Sequence, residues 1–181
     1  GCSTGNTLLF LAKTLHDKDV RLIGCDPAAA MLEKARQKAA GFTYSHNITF
    51  VQNTCEDLPL EKADMIILNY TLQFIDKSER LDLLKKIHHS LKPGGLLILS
   101  EKLRQKSQKV ERFNTSTYEN FKAGNGYSFL EIANKRQALE NILVPSSLEH
   151  NISSLKEAGF EDVETLFKWL NFATFAAFKE G

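Results

Sequence analysis

Gly1-Cys2-Ser3-Thr4-Gly5 runs straight into an amphipathic stretch, Asn6 to His16, that puts Leu8, Leu11, Ala12 and Leu15 on one helical face. Small, glycine-bearing residues at a helix start allow close backbone approach to a ligand. The first turn of the helix also offers unpaired N–H groups to an anion. A β-strand is expected to feed such a loop. None stands ahead of Gly1, so the first strand is expected to be missing from the N-terminus of this chain.

Outward from that loop the chain alternates. Val20 to Cys25 (VRLIGC) reads as a short strand buried on both faces, and Asp26 follows it at once. Pro27 is expected to open a helix carrying Met31, Leu32, Ala35 and Ala39, closed by Gly41. Ile48 to Gln52 is a third strand, counting the missing one, and Ala63 to Leu68 (ADMIIL) a fourth that ends at Asn69. Ser78 to Ser90 is a helix, Lys92-Pro93-Gly94-Gly95 a tight turn, and Leu96 to Ser100 the next strand. This rhythm predicts an α/β fold, a doubly wound Rossmann-like, mostly parallel sheet.

Leu103 to Val144 breaks the rhythm. It is polar and helical in pattern, interrupted at Gly124-Asn125-Gly126, and reads as an insertion over the strand ends of a single domain spanning 1–181. A helix from Ser147 to Ala158 follows, capped by Ser146 or Ser147 and stopped by Gly159. Val163 to Leu170 and Phe172 to Phe178 then lie too close together for a crossover helix, so an antiparallel last strand is expected.

A net charge of +1 does not nominate nucleic acid as a partner, and Lys102 to Lys109 reads as a solvated basic face. Cys2, Cys25 and Cys55 form neither a CxxC pair nor a Cys/His cluster, so no metal site and no disulfide framework is expected. A reducing, cytoplasmic setting fits them. No apolar run reaches the roughly 20 residues needed to span a bilayer.

In a doubly wound sheet the carboxyl ends of the strands share one crevice, where the glycine loop, Asp26, Thr54-Cys55 and Asn69 would converge. An acid about 20 to 25 residues past a glycine loop suits a ribose diol, although Asp26 would equally cap the helix after it. The loop lacks the GxGxxG dinucleotide fingerprint. Its GxSxG spacing also fits a hydrolase nucleophile elbow, but His46, His88, His89 and His150 fall on helix faces or a loop rather than at strand ends. The cysteines have no base beside them and read as packing residues.

With GCSTG, CDPAAAML, the strand–KPGG–strand unit and the antiparallel end, the chain resembles class I S-adenosylmethionine-dependent methyltransferases. More narrowly it resembles the carboxy-S-adenosyl-L-methionine synthase family. The narrower likeness rests on Asn69 to Phe74 (NYTLQF), Ser100-Glu101-Lys102, Asn125-Gly126-Tyr127-Ser128, and Lys135-Arg136 followed by Leu139-Glu140-Asn141.

The resemblance implies S-adenosyl-L-methionine, or its carboxylated form, as ligand and prephenate as carboxyl donor. Phenylpyruvate would be released, and the product would serve wobble-uridine modification of tRNA through another enzyme, without direct nucleic-acid binding by this chain. A sulfonium acidifies its methyl group, which can then capture carbon dioxide freed beside it. The protein's part is to hold the carboxylate and exclude water. Carried over by motif, Gly1, Cys2 and Ser3 hold the methionine end, Asp26 and Pro27 the ribose, Thr54 and Cys55 lie by the adenine, and Asn69 lies under the sulfonium. Arg136 would be the catalytic residue and grip the new carboxyl, reaching across a homodimer. By charge spacing alone, Arg136 is a surface residue of a helix that also bears Glu131, Lys135 and Glu140.

Two features depart from the family pattern. Thr54 stands where an acid usually accepts from the adenine amine, with Asp57 a substitute nearby, and a cofactor-touching tyrosine would precede Gly1. The rival expectations are an ordinary methyltransferase acting on a small acid or RNA, and a non-catalytic cofactor-binding module.

Overall fold

The computed structural model describes residues 1–140 and 142–181. They form two compact units, Gly1–Leu60 and Glu61–Gly181.

In the first unit, α1 (Asn6–Thr14) precedes β1 (Leu22–Asp26), α2 (Ala29–Ala40) and β2 (Ile48–Gln52). The strands pair in parallel, from Leu22 opposite Ile48 to Asp26 opposite Gln52, with α2 as the crossover that parallel pairing requires. Leu8, Ala12, Leu32, Ala35 and Ala39 are its buried apolar residues.

Pro27 does not open α2. Ala28 is the extended N-cap (φ −83°, ψ 103°) and the helix starts at Ala29. The reason is local: Asp26 Oδ1 accepts the Ala28 N–H at 3.0 Å, a turn that uses up two residues before helical torsions begin.

The second unit carries β3 (Ala63–Asn69), α3 (Arg80–Ser90), β4 (Leu91–Lys102), α4 (Gln108–Gly124), α5 (Phe129–Leu139), α6 (Leu148–Glu157), β5 (Asp162–Trp169) and β6 (Phe172–Phe178). Its sheet has the order β3-β4-β6-β5. β3 and β4 are parallel, and β6 runs antiparallel to both β4 and β5. The expected antiparallel end is therefore present. Only Leu170 (φ +50°) and Asn171 separate β5 from β6, leaving a tight turn as the only connection.

The KPGG segment is a bulge inside β4 rather than a turn ahead of it. Ala63 pairs with Leu91 and Met65 with Leu96, so Lys92 to Gly95 loop out of the ladder. Gly95 is required there, since a Cβ would stand 2.8 Å from the Lys92 carbonyl oxygen. Leu84, Ile87, Leu97, Leu99, Leu155 and Phe175 fill the core of this unit.

The insertion leaves the sheet after Leu103 and returns at Ser146, and those two residues form a bridge that closes its base. Arg104 N–H donates to the Ser146 carbonyl at 2.9 Å, and Leu103 N–H to that of Asn171 at 2.7 Å. Ser107 caps α4 and a Ser128–Glu131 capping box starts α5, with the expected break at Gly124–Gly126 between them. Ser147, not Ser146, caps α6.

Candidate cofactor-binding site

The glycine loop is held through its own backbone groups. Cys2 N–H donates to the Cys25 carbonyl at 2.7 Å, and Gly5 N–H to that of Cys2 at 2.9 Å. Ser3 (φ +50°) and Gly5 (φ +77°) adopt left-handed torsions. Ser3 pays a small strain for this, and its N–H is fixed by Asp26 Oδ2 at 2.8 Å. A Cβ on Gly5 would press at 3.2 Å on both Ala35 and the Phe50 ring.

Asp26 thus does two structural jobs, clamping the loop through Ser3 and turning the chain through Ala28. Asp26 as a whole is 8% exposed. Each oxygen takes one N–H, and a carboxylate has about four lone-pair sites, so acceptor capacity for ribose hydroxyls is left. Cap and ligand roles are compatible here.

At the end of β2, the Cys25 thiol donates to the Asn53 carbonyl at 3.0 Å. Thr54 Oγ1 donates to Asp57 Oδ2 at 2.9 Å and accepts the Asp57 N–H at 3.1 Å. An acid therefore stands directly beside Thr54. Gly1, Cys2, Ser3, Asp26, Pro27, Thr54 and Cys55 are all gathered on this unit by the Cys25 and Asp26 contacts and by Cys55 Sγ, 3.6 Å from the Gly1 nitrogen. Burial pushes the Cys2 thiol up to about 11 and raises Cys25 as well, so neither is a thiolate nucleophile at neutral pH. The Ser3 hydroxyl donates to Met31 Sδ at 3.9 Å rather than to a base, which removes the nucleophile-elbow reading.

Asn69 and Arg136 belong to the second unit. Asn69 is exposed at the last position of β3, opposite Ser100. Tyr70 follows it in a left-handed turn (φ +56°), with its N–H on the Ser100 carbonyl at 2.8 Å. Arg136 lies on α5 and is two-thirds exposed (66%). Its Nη1 contacts Glu119 Oε1 of α4 at 3.0 Å. Asn141, which closes the motif after Arg136, lies outside the described residues.

Sequence reading gave no role to three residues that build this region. Gly24 is one: a Cβ there would fall 2.4 Å from Leu8 Cδ1 and 3.0 Å from Cys2 Sγ, so only glycine lets the loop lie on β1. A glycine inside the strand run VRLIGC was the available signal. Glu101 and Arg80 are the others. Glu101 is 2% exposed, receives backbone N–H groups of Leu72, Gln73 and Thr71, and has one oxygen, Oε1, without a partner among the described residues. Burial outweighs the attraction of Arg80 and lifts its carboxyl to about 8. Arg80, itself buried, donates to the carbonyls of Ile75, Gln73 and Val144 and to Ser146 Oγ. Gln73 Oε1 accepts the Lys102 N–H at 2.9 Å. Together these groups tie the turn after Asn69 to both roots of the insertion. The signal for Glu101 was a lone acid closing the apolar run LLILSE.

Residues 1–95 match the family of the methyltransferase domain. The carboxy-S-adenosyl-L-methionine synthase of Desulfotalea psychrophila is 44% identical over 99% of this chain and 73% of its own length. Those of Wolinella succinogenes and Campylobacter fetus are 45% and 46% identical over 99% of this chain, covering 74% and 75% of theirs. The chain belongs to the carboxy-S-adenosyl-L-methionine synthase family. It lies within the class I methyltransferase superfamily, and S-adenosylmethionine is its cofactor or substrate. Among solved structures, the YcgJ protein of Bacillus subtilis matches with a TM-score of 0.74 at 15% identity, over all of this chain and 90% of that one. The cyclase SpnF matches with a TM-score of 0.70 at 18% identity, over 99% of this chain and 73% of that one. At such identities the likeness is one of fold, and a cyclase among the neighbours illustrates that fold leaves the reaction open.

The first unit fits S-adenosylmethionine on its own evidence. Asp26 keeps acceptor capacity after fixing the loop, and Gly5 and Gly24 let the loop pack closely on Ala35, Phe50 and Leu8. Among the described residues no cluster of metal-ligating side chains occurs, and no helix is long and apolar enough to cross a membrane.

Proposed function

We propose that this chain transfers a carboxyl group from prephenate to S-adenosyl-L-methionine, giving carboxy-S-adenosyl-L-methionine, phenylpyruvate and water for modification of the tRNA wobble uridine. Prephenate breaks its C–CO2 bond and expels its ring hydroxide, which takes the methyl proton, and the methyl carbon bonds to the carbon dioxide. The observation that carries the donor half is Arg136. Its guanidinium is two-thirds exposed and commits one nitrogen to Glu119, so the rest of the planar fork is open to a carboxylate. Bound S-adenosylmethionine supplies the sulfonium that acidifies its methyl group. Ser3, Asp26 and Pro27 hold the cofactor's methionine and ribose ends, and Thr54 with Asp57 takes the adenine amine. Asn69 orients the sulfonium end. Arg136, contributed across a homodimer in the cytoplasm, holds the transferred carboxylate, and the insertion excludes water from the reacting groups.

Mass spectrometry of the nucleoside after incubation with S-adenosylmethionine and prephenate tests this. A gain of one carboxyl group is expected. Demethylated cofactor with a methylated acceptor would instead mean an ordinary methyltransferase, and no turnover a binding module.

A further inference from the structure

The sheet of the second unit buries two polar side chains that the proposed reaction does not use. β4 and β6 pair Glu101 with Ala173 and Lys102 with Phe172. The Leu103 N–H donates to the Asn171 carbonyl at 2.7 Å, which carries the ladder one step further. Alternation then puts Glu101, Leu103, Asn171 and Ala173 on one face. All four are buried, while Lys102 and Phe172 between them are only partly so. Glu101 and Asn171 are thus diagonal neighbours on that face.

Each of the two carries a buried oxygen, Glu101 Oε1 and Asn171 Oδ1, that has no hydrogen-bond partner among the described residues. Two bare acceptors side by side carry the full desolvation cost of each. One proton removes the conflict. A neutral carboxyl has an O–H to give and a carbonyl that still accepts, whereas an ionised one only accepts. Asn171 offers the acceptor on the same face. Donors for the other oxygen come from the turn, where the N–H groups of Thr71, Leu72 and Gln73 are directed at Glu101.

The charges around Glu101 do not restore a carboxylate. Arg80 of α3 faces it, but Arg80 spends its donors on the carbonyls of Ile75, Gln73 and Val144 and on Ser146 Oγ, and Asp76 faces Arg80 in turn. Tyr70 faces it from the turn, with its own ionisation pushed up chiefly by burial. β6 presents Ala173. Burial prevails over Arg80, and the carboxyl ionises only at about 8.

That proton matters because of what hangs on the turn. Asn69 stands just before it. Gln73 at its end accepts the Lys102 N–H at 2.9 Å through Oε1 and the Val144 N–H at 3.0 Å through its carbonyl, one contact at each root of the insertion that bears Arg136. We infer that Glu101, as a neutral acid with its O–H on Asn171, is a positioning residue for the reaction: it sets the turn that presents Asn69 and anchors both roots of the insertion. The link to turnover rests on the function proposed above; the proton and the turn do not.

Infrared spectroscopy at neutral pH should show the carbonyl band of a protonated carboxylic acid, absent in E101Q and shifted in N171L. Wild-type turnover should fall as pH rises through about 8, while E101Q, active at neutral pH because its amide also donates and accepts, should stay level. E101L, with native circular dichroism, should lose about a hundredfold in kcat with little change in KM for S-adenosylmethionine, the expected cost of a misplaced turn. Amide exchange reads the turn without turnover. Thr71 to Gln73 should be protected in the wild-type chain and in E101Q, and lose about tenfold or more of that protection in E101L. Should E101L fail to fold, E101Q and N171L carry the test. No acid band in the wild-type chain would overturn the inference, since it would mean a carboxylate with the Asn171 amide turned to donate to it. A band that survives E101Q or is unmoved in N171L, or an equal alkaline loss of turnover in E101Q, would overturn it too. If the wild-type chain carboxylates and E101L does so equally well, the proposed function stands and the positioning role falls. If the wild-type chain makes no carboxylated product but E101L still loses protection at Thr71 to Gln73, the function fails and the neutral acid stands as the anchor of the turn.

Discussion

The glycine loop and the α4–α5 insertion are built on opposite principles. In the loop, backbone groups make the surface: Cys2, Ser3 and Gly5 are set by N–H bonds and left-handed torsions, and at Gly5 and Gly24 a Cβ would press on neighbouring side chains. In the insertion, side chains make the surface. Each helix buries a single residue, Asn114 in α4 and Ile132 in α5, while Phe113, Phe129 and Leu130 are 64 to 73% exposed. A backbone site tolerates few substitutions but can serve any nucleotide-like ligand. A side-chain surface is cheap to vary.

The sharpest way to break this contrast is Arg136→Ala. Carboxylation should fall by about a thousandfold or more, with S-adenosylmethionine affinity within about twofold, because among the described residues its ion pair is with Glu119 of the insertion. A parallel loss of cofactor binding would mean that the insertion also builds the cofactor site.

Asp26→Ala probes the loop. Leaving the Ser3 and Ala28 N–H groups without their acceptor should cost about 2–4 kcal/mol of stability and roughly a hundredfold in S-adenosylmethionine affinity, measured by denaturant titration and calorimetry. An unchanged denaturation midpoint would show that the loop does not depend on this clamp.

Glu101→Gln sharpens the link between the turn after Asn69 and the insertion's roots. Glu101 has a folded-state value raised from 4.5 to about 8, so the folded chain holds a proton that the unfolded chain releases. Its contribution is full below about pH 4.5 and is lost as pH rises toward 8, on the order of 3 kcal/mol across that window. The glutamine variant, which cannot ionise, should show a flatter stability profile from pH 5 to 8. Parallel profiles would mean that Glu101 is already ionised in the fold.

The smallest effect is expected at the adenine end. Asp57→Ala should weaken S-adenosylmethionine binding about threefold to tenfold. Thr54→Asp should tighten it only when combined with Asp57→Asn, because the Thr54 hydroxyl is 2.9 Å from the Asp57 carboxylate and two acids there would repel. Equal binding by all of these variants would place the adenine elsewhere.

Periodicity found the helices and strands because burial repeats along the chain, and it found the antiparallel end because two residues cannot carry a crossover. It misplaced the start of α2 by two residues, since a turn made by one carboxylate leaves no periodic trace. The KPGG bulge was mistaken for a turn because its glycines serve either geometry, and only the pairing of Ala63 with Leu91 distinguishes them.

By itself the sequence determined an α/β chain with a glycine loop, an acid after the next strand and a helical insertion, because local torsion preference and hydrophobic period are properties of neighbouring residues. It also carried the family, through motifs read in order. Tertiary structure decided what each charged group faces. Asp26 holds the loop as well as the turn, Asp57 accepts the Thr54 hydroxyl, and Glu101 is buried in the field of Arg80. Those outcomes depend on solvation and on partners up to 66 residues away, as between Arg80 and Ser146, and no local pattern encodes them.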